Sequence, residues 1–154
     1  MLLSGVSRGK ARRVEVLTGR APDWISSEMA QARAVFERLV SLEAEYDPAL
    51  GELYSEDGVI VESRTEPGSQ RRNREIPARR YRAALPSALT LAQKAGERFS
   101  HQDVSVQHLG PGWVAVRTLR SSSRARRAGP YELVIRRDAD GAWRICKETA
   151  TLML

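Results

Sequence analysis

From Ser26 the chain settles into a helical rhythm: Met29, Ala32, Phe36, Leu39, Val40 and Ala44 recur at three- and four-residue spacing, with glutamates on the outer face. That stripe predicts an amphipathic helix over 26–46, capped at its first turn by Ser26 or Ser27. Asp47-Pro48 then starts a second, short helix, because Asp is a good N-cap and Pro suits the first helical position. Leu50, Leu53 and Tyr54 are its inward residues. At Gly58–Arg64 the pattern becomes an alternation around β-branched residues, and Glu66-Pro67-Gly68-Ser69 supplies a tight turn, so 70–75 reads as the returning strand of a hairpin. Pro77 opens a third helix with the stripe Tyr81, Leu85, Ala88, Leu89 and Ala92, and Pro86 in its interior predicts a kink or a split.

After Gly96 the pattern is strand upon strand: 99–109, the Gly110-Pro111-Gly112 turn, 113–120, a Ser- and Arg-rich connection, 130–137, the Asp138–Gly141 turn, and 142–152. Helices come first and a long antiparallel meander follows, with no parallel βαβ alternation. The fold class is therefore α+β, with about three helices packed on the concave face of a curved antiparallel sheet. Residues 1–23 lack clean periodicity and read as a basic N-terminal arm; 24–154 form one domain.

Charge changes this picture little. The net charge is +6, but 22 of the 25 cations are arginine, and they are segregated: about +4 over 1–20, about +5 over 64–82, about +5 over 117–127 and about −8 over 21–63. A solvated basic flank balanced by an acidic helix needs no partner. Arg124, Arg126 and Arg127 could bind phosphate, yet no aromatic residues are interleaved with them, which argues against nucleic acid. Cys146 is the single cysteine and reads as a small buried strand residue. No apolar run approaches the roughly 18 residues that span a bilayer. The expectation is a cytoplasmic chain without membrane contact, or a periplasmic one if an export signal precedes it.

The element order, LYSEDGVIVES over 53–63 and the terminal DGAWRI over 140–145, resembles the nuclear transport factor 2-like superfamily, which contains ketosteroid isomerase and the SnoaL-like polyketide cyclases. The resemblance covers about residues 24–152. It implies a cystatin-like roll, a cone whose mouth often holds a small apolar ligand and whose outer sheet face often makes a homodimer. More closely, the chain looks like uncharacterised bacterial members with a charged first hairpin, a Pro-interrupted third helix and a terminal G-x-W-x-I, a group with no known activity.

Matching Leu53-Tyr54-Ser55-Glu56-Asp57 to the LY-x-x-D segment of ketosteroid isomerases places Glu62 at their general base, where an apolar cone would raise its pKa. The expected oxyanion-stabilising tyrosine falls on Leu39, and no acid in the later strands stands out as a partner. Glu62 paired with Arg64, Arg72 or Arg74 across the hairpin is an equally natural reading. Tyr54, Trp113 and Arg117 are the candidate ligand-binding residues, Trp113 sharing a strand face with Ala115 and Arg117 to make an apolar wall with one cation. His101 and His108, seven apart, fall on opposite faces by the period of two, so no metal pair is expected, nor any cofactor. The expected ligand is a small apolar or weakly anionic molecule; whether the protein is an enzyme stays open, the alternatives being an isomerase, cyclase or hydrolase with Glu62 as general base and a basic adaptor that binds protein or nucleic acid through its arginine clusters. Homodimerisation is expected from apolar positions on both faces of the later strands: Val104 and Val106, Val114 and Val116, Leu133 and Ile135.

Overall fold

The structure is a computed structural model that describes residues 21–65, 68, 72–124 and 127–153; the basic arm over 1–20, most of the 66–71 turn and Arg126 lie outside the described residues. Helix α1 (Asp23–Ala44) begins three residues before the expected start. Pro22 occupies the cap position and its carbonyl accepts from Ile25 and Ser26, so neither serine caps the helix. Tyr46 takes a left-handed φ of 54° just past the helix end, and Asp47 caps the following 3-10 helix (Pro48–Leu53) by accepting from the Ala49 N–H at 2.9 Å.

The strands are β1 (Tyr54–Thr65), β2 (Arg72–Pro77), β3 (Phe99–Gly110), β4 (Trp113–Ser122), β5 (Gly129–Arg137) and β6 (Trp143–Met153), and helix α2 (Ala78–Lys94) stands between β2 and β3. Pro86 does not split α2, because it lies on the solvent side of the helix, where the carbonyl it leaves unpaired meets no core. The six strands form one curved, unclosed sheet in the order β2-β1-β6-β5-β4-β3. All pairings are antiparallel except β1 with β6, which is parallel. The meander thus curls back so that its last strand inserts beside its first, a long-range pairing that no local pattern announces.

Ala32, Phe36 and Leu39 of α1 pack on Val114, Val116, Leu133 and Ile135, all on the concave face. These valines, Leu133 and Ile135 share one face because each pair is separated by two residues, so they do not supply apolar cover on both sides. The convex face instead alternates apolar and charged groups: Trp113, Ala115, Arg117 and Leu119 on β4 stand opposite Arg136, Val134, Glu132 and Pro130 on β5.

Two bulges set what faces inward. In β3 the register slips between Gln102 and Ser105, with Asp103 at a φ of 54°, and the alternation inverts there. His101 lies opposite Arg120 and His108 opposite Val114, both on the concave side; the expectation of opposite faces is overturned by this one extra residue. In β6 the register slips at Cys146, so Ile145 and Glu148 both point inward. Gly58 sits where this slip meets β1. A Cβ there would lie 3.0 Å from the Ser55 carbonyl oxygen and 3.2 Å from those of Ile145 and Cys146, so the close approach needs glycine.

Candidate functional site

The cone is floored by polar groups. Glu148 is 6 % exposed, and its Oε1 accepts from the Tyr54 hydroxyl at 2.8 Å and from the Tyr131 hydroxyl. Tyr54 reaches it from β1 and Tyr131 from β5, the two strands flanking β6, and Tyr81 of α2 packs edge-on against Tyr54 with ring centroids 5.2 Å apart. Burial pushes the Glu148 carboxyl above the usual range; the Arg120 charge and the two hydroxyls offset this only in part. The same burial, with the Glu148 charge beside them, raises both tyrosine hydroxyls.

Next to this clamp lies a second group around Arg120 of β4. Its Nη2 donates to Glu43 Oε2 at 2.8 Å, and its guanidinium lies over the Phe99 ring at 4.1 Å and the Tyr131 ring at 5.0 Å. Its Nε–H is buried without an acceptor. His101 bonds Thr118 Oγ1 through Nδ1 at 3.0 Å, while its Nε2 stands 3.5 Å from Glu43 Oε1, too poorly placed for a hydrogen bond and likewise buried without one. Burial alone would raise Glu43, but His101 and Arg120 outweigh it and hold this carboxyl below the usual range. Two carboxylates near one arginine are therefore pushed in opposite directions, Glu43 toward the charged form and Glu148 toward the neutral one.

Glu28 repeats the Glu43 arrangement at the other end of α1. It accepts from His108 at 2.8 Å and from the Gly112 N–H at 2.9 Å, with Arg137 at 3.6 Å, and these partners hold it below the usual range against its burial. Glu28 and Glu43 are fifteen positions apart, about 22 Å along a helix. His101 and His108 are seven apart with one residue taken up by the bulge, about 20 Å along a strand. The match lets both pairs form at once and fixes how α1 lies on β3.

A recess of about 50 Å³ opens at the mouth of the cone, its lining including Phe99, Arg120, Tyr131, Ala150 and Met153 together with the oppositely charged Glu97 and Arg127. Its lining is mixed, and the interior behind it is filled by tyrosine rings and Glu148, in place of the largely apolar cavity expected. At the opposite end an open cleft of about 800 Å³ carries the ladder Asp57, Arg136, Asp138, Arg144 and Asp140, whose carboxylates are each paired; the Arg144 hydrogen bonds bring Asp140 down to about 2.

The expected site residues do not converge. Tyr54 is in the floor. Glu62 is half-buried on the same face as Ile60, between Arg74 of β2 and Ala150 of β6, and forms no ion pair among the described residues. Trp113, 42 % exposed, and Arg117 are on the convex face, across the sheet from Tyr54, because they alternate with the inward Val114 and Val116. Arg136 stacks on the Trp113 ring at 5.6 Å, and Arg117 is engaged by Glu132 and Gln107, so the wall they make belongs to the sheet's outer surface. The residues missed are Glu148, Tyr131, Tyr81, Arg120, Glu43 and His101. A signal for Glu28 and Glu43 was present: both lie on the apolar line Ala32, Phe36 and Leu39 at helical spacing. Among the described residues no cluster of three or more His, Cys, Asp or Glu could hold a metal ion, and no helix is long and apolar enough to cross a membrane.

No family model and no curated protein matches this sequence. Solved structures do. A protein assigned as the β subunit of an aromatic-ring-hydroxylating dioxygenase from Novosphingobium aromaticivorans aligns with a TM-score of 0.60 at 10 % identity, over 84 % of this chain and 91 % of its own. One assigned as a scytalone dehydratase from the same organism gives 0.59 at 15 % identity, over 82 % and 85 %. An uncharacterised cystatin-like protein from Caulobacter vibrioides gives 0.59 at 12 % identity, over 82 % and 89 %. At these identities the likeness is one of fold, and with three helical segments on a six-stranded curved sheet the chain has a cystatin-like α+β cone.

Proposed function

We propose that this protein binds a small molecule at the mouth of the cone, its polar head against Arg120 and its apolar body over Phe99, the Tyr131 ring, Ala150 and Met153. The observation that supports this reading is the recess itself, an opening to solvent that ends on buried hydrogen-bonding groups. At about 50 Å³ it is far below the roughly 300 Å³ of a site enclosing a drug-sized ligand, so a head group of a few atoms enters and the remainder stays at the rim. A fragment library followed by NMR of the Ala150 and Met153 methyl groups tests it. Fragments should shift both signals, and Arg120→Gln should weaken them; a library that moves neither methyl at millimolar concentration sinks the reading.

A second reading, an isomerase, cyclase or hydrolase, draws support from the opposed carboxyls. Glu148 in the floor and Glu43 beside Arg120 are the opposed pair, and Glu62, half-buried on β1, is the further acid it would use for proton transfer. Loss of turnover in Glu148→Gln or Glu62→Gln, with folding retained, is the test. Pairing of two copies through the convex face around Trp113 and Leu119 belongs to the same proposal and is tested by sedimentation. A basic adaptor role has less support, since Arg117, Arg120, Arg124, Arg136 and Arg144 are each held by acidic neighbours.

A further inference from the structure

We propose that the recess takes an anionic head group of carboxylate type, and that binding it draws one proton from solvent onto Glu148. This rests on the reading of the recess as a ligand site and adds the charge of the ligand and its linkage to protons.

Arg120 lines the recess and is under-used. A guanidinium has five N–H donors, yet among the described residues this one makes a single hydrogen bond, to Glu43, and its Nε–H is buried with no acceptor. A planar carboxylate is the acceptor a guanidinium fork fits best. Tyr131 donates its hydroxyl inward to Glu148, so its ring and Phe99 present apolar walls that favour a head attached to a short carbon chain.

The charge balance requires the proton. Glu148 is faced by Tyr54 from β1, Tyr81 from α2, Tyr131 from β5, Arg120 from β4 and Glu43 from α1, with His101 of β3 behind Glu43. Arg120 is the cation among these, and Glu43 already engages it. With Glu148 ionised, a ligand anion would be a third negative charge beside Arg120, since the other charged groups of the recess, Arg127 and Glu97, offset one another. A proton on the Glu148 carboxyl removes one of them, and burial already favours that form.

The full chain is titrated with propane-1-sulfonate, propionate and propionamide, following the Met153 and Ala150 methyls from pH 5 to 8. The sulfonate does not titrate in this range, so any pH dependence belongs to the protein. Expected are at least tenfold tighter binding of both anions than of the amide, and a sulfonate Kd that weakens by up to about tenfold per pH unit as pH rises. Glu148→Gln should bind the sulfonate with a flat pH profile, at pH 8 matching wild type at low pH. Arg120→Gln should lose the preference for anions. Equal binding of amide and anions overturns the charge assignment; a slope that persists in Glu148→Gln but disappears in His101→Gln puts the proton on His101 and overturns the linkage. Should Glu148→Gln not fold, calorimetry of wild type in two buffers of different ionisation enthalpy reads the proton directly, and no uptake overturns it. If no probe shifts the methyls, the ligand site itself fails.

Discussion

Tyr54 and Tyr131 donate their hydroxyls to the same oxygen of Glu148, from strands on either side of β6. Neither contact is local, being 94 and 17 positions apart in the chain, so the clamp forms only when β1 closes onto β6. Each hydrogen bond to this carboxyl contributes about 1–2 kcal/mol. Removing one hydroxyl moves Glu148 toward its neutral form, a weaker acceptor for the other. Tyr54→Phe and Tyr131→Phe should therefore be sub-additive in urea denaturation, the double variant falling short of the sum by more than about 0.5 kcal/mol. Simple additivity would mean that the hydroxyls do not share their acceptor.

The carboxyl directions set the pH profile. Glu148 is raised in the folded state, so its contribution is fully present below the unfolded value near 4.5 and is lost as pH rises through the folded one. Glu28 and Glu43 are lowered; their contributions are present above 4.5 and lost as pH falls through their folded values. Glu148→Gln should thus flatten the decline above pH 4.5 while leaving the acid-side loss intact. Thermal melts from pH 3 to 8 check this, and a variant with an unchanged neutral slope counts against a raised Glu148.

How far the sequence carries is decided by the bulges. Stripes and alternations locate the helices and all six strands, since period and turn chemistry are local. Phase is not local across a bulge. Strict alternation from Ile145 turns Lys147 inward and Glu148 outward, and alternation from His101 sends His108 to the other face; each is wrong by one inserted residue. Local pattern therefore does not reveal the floor of the cone, while Leu39 and Tyr54, which precede any slip, face inward as their spacing predicts. Trp113 and Arg117 share a face as expected, but which face was inward depended on tertiary packing.

These slips should be sensitive to backbone chemistry. Asp103 holds a left-handed φ that β-branched side chains resist by roughly 1–2 kcal/mol, so Asp103→Val should destabilise by about that much and Asp103→Gly by little or nothing. At Gly58 the neighbours are backbone carbonyls that cannot give way, so Gly58→Ala should cost about 1–3 kcal/mol. Chemical denaturation reads both, and a silent Gly58→Ala would show that the junction of β1 and β6 has room to spare.

Arg120 and Arg117 are two arginines on one strand, three residues apart and on opposite faces, each paired with a glutamate. The Arg117–Glu132 pair is on the convex surface, with its arginine side chain 47 % exposed, where water screens the charges and such pairs contribute roughly 0–1 kcal/mol. Glu43, the partner of Arg120, is only 9 % exposed. Truncating Arg120 leaves that carboxylate beside Glu148 with no compensating guanidinium, a situation that costs about 3 kcal/mol or more. It also removes the planar group stacked between Phe99 and Tyr131. Arg117→Ala should accordingly change stability by less than about 1 kcal/mol, while Arg120→Ala destabilises severely and Glu43→Gln with Arg120→Gln together recovers part of the loss by leaving no charge unpaired. Equilibrium denaturation of the three variants measures this, and equal effects at Arg117 and Arg120 would contradict the placement of the charged centre inside the cone.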